Sequence, residues 1–220
     1  MTRAEIKSAA HATREKLLEV AEELFASRGF DAVSIRAILR EAGLRNQSAL
    51  QYHFGDRENL ISAIQERRVR QLEHKRRALL AEALAMERQL EFRDLCGIFV
   101  RAGFELCRDD PSFRKLLGLL GQRLLTSGES LLSIEPLTSS QLELYDLILS
   151  KYSVLAKMDK TLLRLRMENA NALGLQALAR RARAEDSFRG KRAELFFNNL
   201  VDQLSAMMLA PSSPATLALL

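Results

Sequence analysis

Three glycines divide the first sixty residues and limit what those residues can become. Gly29, Gly43 and Gly55 stand fourteen and twelve positions apart, so each interval has room for one short helix and one tight turn. Glycine suits the position just past a helix C-terminus because it takes left-handed backbone without a Cβ clash. Ahead of Gly29, Leu17, Ala21, Leu24 and Phe25 recur at i, i+4, i+7 and i+8, which predicts a helix from about Thr13 to Arg28 with Thr13 as its N-cap. Ser34 then caps a second helix of about eight residues, with Ile35, Ile38, Leu39 and Ala42 on its buried face, and Gly43 stops it. Asn46 is the expected N-cap of a third helix that Gly55 ends, and Asp56 opens a fourth. This is a helix-turn-helix packed on an earlier helix.

The third helix is unusual in what it lacks. "RNQSALQYHFG", residues 45–55, offers only Leu50 and Phe54, with Ala49, to grip a core; the rest are hydrogen-bonding groups. A polar helix presented by two apolar anchors fits the major groove, where amides and hydroxyls can meet base edges. Gln47, Ser48 and Gln51 lie on or near one face, and Arg45 precedes them within reach of a guanine or a phosphate. Tyr52 and His53 can donate to phosphates, which fix register rather than read sequence. The N-termini of the second and fourth helices, at Ser34 and near Arg57, offer free N–H groups to phosphate, and Lys16 and Arg36 add positive charge. With the N-cap Asn46, these are the DNA-binding candidates. The alternative is a solvated polar helix, since helix-turn-helix shapes also occur without DNA.

Bulk charge does not decide between the two. The net charge is +5, which permits an anionic partner, yet the first 60 residues hold nine Lys/Arg and nine Asp/Glu. The case rests on where the basic groups sit. Elsewhere the composition points to helices throughout: Leu, Ala, Arg and Glu dominate, with only 10 Gly and 4 Pro in 220 residues. An N-terminal arm over residues 1–10 is expected to be loose and polar. One long helix, broken or bent once, is expected from about Asp56 to Arg88, followed by helices at 91–108, 111–125, 138–157, 160–185 and 190–209. The stretch "TSGESLLSIEPLTSS" is the most loop-like, and residues 211–220 form a flexible tail. The divisions are thus 1–55, 56–210 and 211–220.

The stretch "TREKLLEVAEELFASRGFDAVSIRAILREAGLRNQSALQYHFGDRENL" resembles the tetracycline-repressor-like (TetR-like) family of transcription regulators. A basic opening to helix one, an "LF…G" element, a Ser starting helix two, an "A…AG" element and an aromatic-His-Phe ending to helix three are all present. Two departures stand out. The turn "GLRNQS" is one residue longer than is usual, and Gln51 stands where the family commonly has Tyr. The resemblance implies an all-α protein, with an N-terminal three-helix helix-turn-helix DNA-binding domain followed by a larger helical ligand-binding and dimerisation domain. It implies Ser34 and Arg36 near phosphate; Gln47, Ser48, Gln51 and Tyr52 facing the groove; and His53 and Arg57 clamping the backbone. The last two strong helices would pair with those of a second chain. One stripe for that pairing is Leu162, Leu165, Ala172 and Leu173; the other is Phe197, Val201, Leu204 and Met208. Filling of a monomer core explains the same stripes.

The expected function is a sequence-specific transcription regulator, a ligand-responsive repressor acting as a homodimer on a palindromic operator. An activator of the same architecture and a helical protein-interaction module are the alternatives. Double-stranded DNA and a second copy are the expected partners, with a small apolar ligand as a third candidate. Phe92, Cys96, Phe99, Phe113, Leu117, Leu120 and Tyr145 are placed to line an apolar pocket, although stripes of this kind more often mean ordinary core packing. Cys96 and Cys107 are three turns apart on one helix, too far to bridge, and read as buried reduced thiols of a cytoplasmic protein. No apolar h-region opens the chain and no run of about 18 apolar residues occurs, so neither a signal peptide nor a membrane span is expected. No enzyme is expected either, and no cofactor or metal. His11, His53 and His74 sit in separate contexts without ligands at metal spacing, and no G-x-S-x-G, P-loop or dinucleotide fingerprint occurs.

Overall fold

The computed structural model describes residues 2–44, 48–86, 88–127, 139–184 and 188–220. These residues form helices and connecting turns, with no strand among those described. The chain divides into two compact units, residues 1–70 and 71–220.

The N-terminal unit opens with α1, Arg3–Arg28. The expected loose arm over residues 1–10 is therefore corrected: the helix begins ten residues before Thr13. A capping box drives this, with Thr2 Oγ1 accepting from the Glu5 amide at 3.3 Å and Glu5 Oε2 accepting from the Thr2 amide at 2.6 Å. Helix α2, Ile35–Glu41, is capped as expected by Ser34, whose Oγ accepts from Ala37 N at 3.2 Å. Ile38, Leu39 and Ala42 are buried; Ile35, expected with them, is only half-buried. Helix α3 is Ser48–Phe54 and α4 is Arg57–Leu84. Gly29, Gly43 and Gly55 take φ of 81°, 71° and 78°, the left-handed region that their stop positions require.

The unit's core is built from Leu17, Leu18, Ala21 and Phe25 of α1, Ile38 and Leu39 of α2, Leu50 and Phe54 of α3, and Leu60, Ile61 and Ile64 of α4. Because the start of α4 belongs to this core, the division falls after Arg70 rather than after Gly55. Glu22 closes the arrangement. It is 2% exposed, and it accepts from Arg67 and Arg68 of α4, with Arg67 also 3.8 Å from Glu15.

In the C-terminal unit, α5 is Phe92–Asp109, α6 Pro111–Ser127, α7 Ser139–Lys151, α8 Ser153–Ala156, α9 Lys160–Arg183, α10 Lys191–Leu209 and α11 Pro214–Leu217. The long helix expected from about Asp56 to Arg88 is α4, which runs without a break from Arg57 and ends at Leu84. Helix α5 is the hub, buried along Phe92, Leu95, Cys96, Ile98, Val100, Phe104 and Cys107, and it packs on α6, α7, α9 and α10. Both cysteines are free and buried, and burial pushes the Cys96 thiol up to about 11 and the Cys107 thiol up to about 12. Neither is ionised near neutral pH, in keeping with inert core thiols. The expected flexible tail instead contains α11, capped by Ser213 Oγ accepting from Thr216 N at 3.2 Å. Ahead of α11, Arg166 donates to the Met208 carbonyl at 2.9 Å and to Ser212 Oγ at 3.1 Å. No described helix is long and apolar enough to cross a membrane.

Candidate nucleic-acid interface

Helix α3 is seven residues long, and two of them hold it. Leu50 is 2% exposed and Phe54 8%, and the Arg14 guanidinium lies 5.1 Å from the Phe54 ring centroid. Leu50 and Phe54 are four apart, hence on one side of the helix, so the intervening polar groups turn outward. Ser48, Gln51 and Tyr52 are all exposed. Tyr52 is 79% exposed, although tyrosine is ordinarily of intermediate burial. Its ring is in edge contact with His53, centroids 4.9 Å apart.

His53 is partly buried, and its pKa is lowered, first by that burial and then by the nearby Arg14 charge. At neutral pH it is therefore a neutral imidazole, a donor through one N–H but not a cation. Lys16 is exposed on α1, and its Nζ lies 3.9 Å from where a Gly43 Cβ would stand. It thus supplies a positive charge at the turn after α2. Arg36 and Ser34 are exposed at the start of α2, though the Ser34 hydroxyl already serves as the cap. Arg45, Asn46 and Gln47 lie outside the described residues.

Arg57, expected against the DNA backbone, has partners within the chain. Its Nη2 donates to the Phe30 carbonyl, its Nη1 pairs with Glu58 at 3.2 Å, and its guanidinium lies 5.5 Å from the Phe25 ring centroid. In the chain by itself the group pins the start of α4 to the α1–α2 connection. Placement at the first position of α4 explains this, because Asp56 caps that helix, accepting from Asn59 N at 2.8 Å. The Phe30 carbonyl that Arg57 meets and the two arginines that Glu22 meets are long-range partners. The capping box at Thr2 was within reach of sequence reasoning, since T-x-x-E is its signature.

The other predicted residues lie in the C-terminal unit. Phe92, Cys96, Phe113 and Leu117 are buried in one cluster, against which Phe99 and Tyr145 pack, partly buried. Phe99 and Tyr145 ring centroids are 5.8 Å apart. The Leu120 side chain is outside the described set. The two proposed dimer stripes part company. On α9, Leu165 is 50% exposed and Leu173 39%, with Leu162 and Ala172 half-buried beside them. On α10, Phe197, Val201, Leu204 and Met208 are all buried in the single chain. That half of the expected interface is corrected: these side chains meet the chain's own α5 and α9, with Phe104 and Phe197 centroids 5.3 Å apart. Among the described residues no group of three or more His, Cys, Asp or Glu could hold a metal ion.

No curated protein sequence matches the chain. Among solved structures it is similar to a probable transcriptional regulatory protein, RHA5900, at 20% identity and TM-score 0.49, covering 91% of this chain and 100% of that one. It is likewise similar to KstR2, the ketosteroid transcriptional regulator of Mycobacterium tuberculosis, at 17% identity and TM-score 0.48, covering 89% of this chain and 92% of that one. Residues 17–64, which span α2, α3 and the core-forming parts of α1 and α4, match the N-terminal domain of the bacterial regulatory proteins of the tetR family. That match covers the helix-turn-helix unit alone, and over those residues the chain is similar to the tetR-family regulators.

Proposed function

We propose that the protein is a ligand-responsive repressor that binds a palindromic operator as a homodimer. The observation that carries this reading is α3, whose Ser48, Gln51 and Tyr52 are exposed while Leu50 and Phe54 anchor it. In the major groove Gln51 can pair both ways with adenine. Ser48 and Tyr52 contact base edges or phosphates beside it. Lys16, Arg36 and the free N–H groups at the start of α2 hold phosphates. Two copies of α3 then enter successive major grooves about 34–36 Å apart. The apolar face of α9, with Leu162, Leu165, Ala172 and Leu173, is the surface on which the second copy packs. Exposed leucines repeated along one helix face favour that use over solvent. A ligand in the C-terminal unit releases DNA only by preferring one of two conformations, so its effect is bounded by its differential affinity.

The test is a mobility shift on the DNA flanking the protein's own gene, followed by footprinting. The wild-type protein protects a palindrome. Gln51→Ala weakens binding by about 1–3 kcal/mol per contacted base pair and relaxes preference at that base pair alone. Unchanged selectivity at every position would take Gln51 out of the reading role. Leu165→Arg combined with Leu173→Arg gives a monomer in sedimentation and loses the palindrome; a dimer that survives both changes moves the interface elsewhere.

A further inference from the structure

Arg76, on the part of α4 that belongs to the C-terminal unit, is 6% exposed. Its Nη1 donates to Ser140 Oγ at 3.1 Å, and its guanidinium carbon lies 4.9 Å from the Phe99 ring centroid. Its Nε is buried with no hydrogen-bond partner, and no carboxylate lies within ion-pair distance among the described residues. The one carboxylate that acts on it, Glu73, is held by Ser139, by the Ser140 amide and by Arg77 at 3.1 Å. Burial pushes the Arg76 pKa down to about 10, which still leaves it charged at neutral pH. A buried charge without an opposite partner is costly, and an apolar residue of similar size would do as well or better for stability. Beside it stands Tyr145, whose oxygen accepts from Asn171 Nδ2 at 3.2 Å. The tyrosine proton has no acceptor among the described residues. Arginine Nε and a tyrosine hydroxyl are thus two donors in want of one acceptor, both beside the Phe99 ring, which with Tyr145 packs on the apolar core of the unit.

We propose that Arg76 and Tyr145 form the polar end of the effector site, which takes the carboxylate of an otherwise hydrocarbon acid. The carboxylate accepts from Arg76 Nε and from the Tyr145 hydroxyl, and the hydrocarbon meets the surrounding apolar side chains. This rests on the ligand-responsive reading above and narrows it from a small apolar ligand to an amphipathic anion. It also accounts for an arginine kept in a core that would tolerate a methionine.

The experiment is calorimetric titration of the full-length protein with decanoate and with 1-decanol, alongside release of the flanking DNA by each. Decanoate binds and decanol binds at least about tenfold more weakly, the value of a charge-assisted hydrogen bond. Arg76→Met reduces decanoate affinity roughly ten- to hundredfold and leaves decanol unchanged, while Tyr145→Phe reduces it about two- to tenfold. Equal binding of acid and alcohol, no binding of decanoate, or wild-type decanoate affinity in Arg76→Met each overturns the proposal. If Arg76→Met does not fold, the acid–alcohol contrast and Tyr145→Phe decide it. Decanoate that binds through Arg76 but leaves DNA bound keeps the site and rejects the ligand response. DNA released by acid and alcohol alike keeps the response and rejects Arg76.

Discussion

Glu22 in the N-terminal unit and Arg76 in the C-terminal unit are 2% and 6% exposed, and each lies on a helix. Glu22 meets two guanidinium groups, from Arg67 and Arg68. Arg76 meets a hydroxyl and an aromatic face, and one of its nitrogens has no partner. Burial of a charge is tolerated when its partners replace the lost hydration. By that measure Glu22 is a finished structural joint, tying α1 to α4 within the unit that presents α3. Arg76 is unfinished, and an unfinished buried donor is what a binding site offers before its ligand arrives.

That contrast can be broken at several points. Glu22→Gln has the largest expected effect: it strips the carboxylate from two arginines, one of them buried, and lowers the unfolding free energy by roughly 3–5 kcal/mol in denaturant titration. A loss below about 1 kcal/mol would mean that the pairing is no joint at all. Arg76→Met is expected to move stability little, or upward by as much as about 1–4 kcal/mol, in the same titration. A large loss there would make Arg76 structural and erase the difference from Glu22. The smallest effect sharpens the picture near α3. The His53 pKa is lowered by folding, so the unfolded chain takes up a proton first as pH falls below about 6.5. The N-terminal unit therefore loses stability over that interval, by a fraction of a kcal/mol at this partly exposed site, and His53→Gln flattens the profile. An unchanged slope in His53→Gln would assign the acid sensitivity to another group.

Local signals in the chain were readable where the physics is local. The three glycines, the Ser34 cap and the Leu50–Phe54 anchor of α3 could be placed from spacing alone, and the structure has them there. The segment 66–77 reads only as very basic, yet Arg68 and Arg76 are among the buried residues. Nothing in a run of charges says which one turns inward, because the answer lies 46 and 64 positions away, at Glu22 and Ser140. The stripe Phe197, Val201, Leu204 and Met208 shows the same limit from the apolar side. Periodicity shows that a face must be covered but not whether the covering helix comes from the same chain. For α9 that face remained open; for α10 the chain covered it itself.

The aromatic inventory has a practical corollary. The chain has no tryptophan and three tyrosines, so its ultraviolet emission comes from Tyr52, Tyr145 and Tyr152. Tyr52 projects from α3, Tyr145 stands beside Arg76, and Tyr152 lies edge-on to Phe92 with centroids 5.1 Å apart. Each of the two units thus carries a native fluorophore. Replacing Tyr52 by Phe would leave an unlabelled protein whose remaining glow reports events in the C-terminal unit alone.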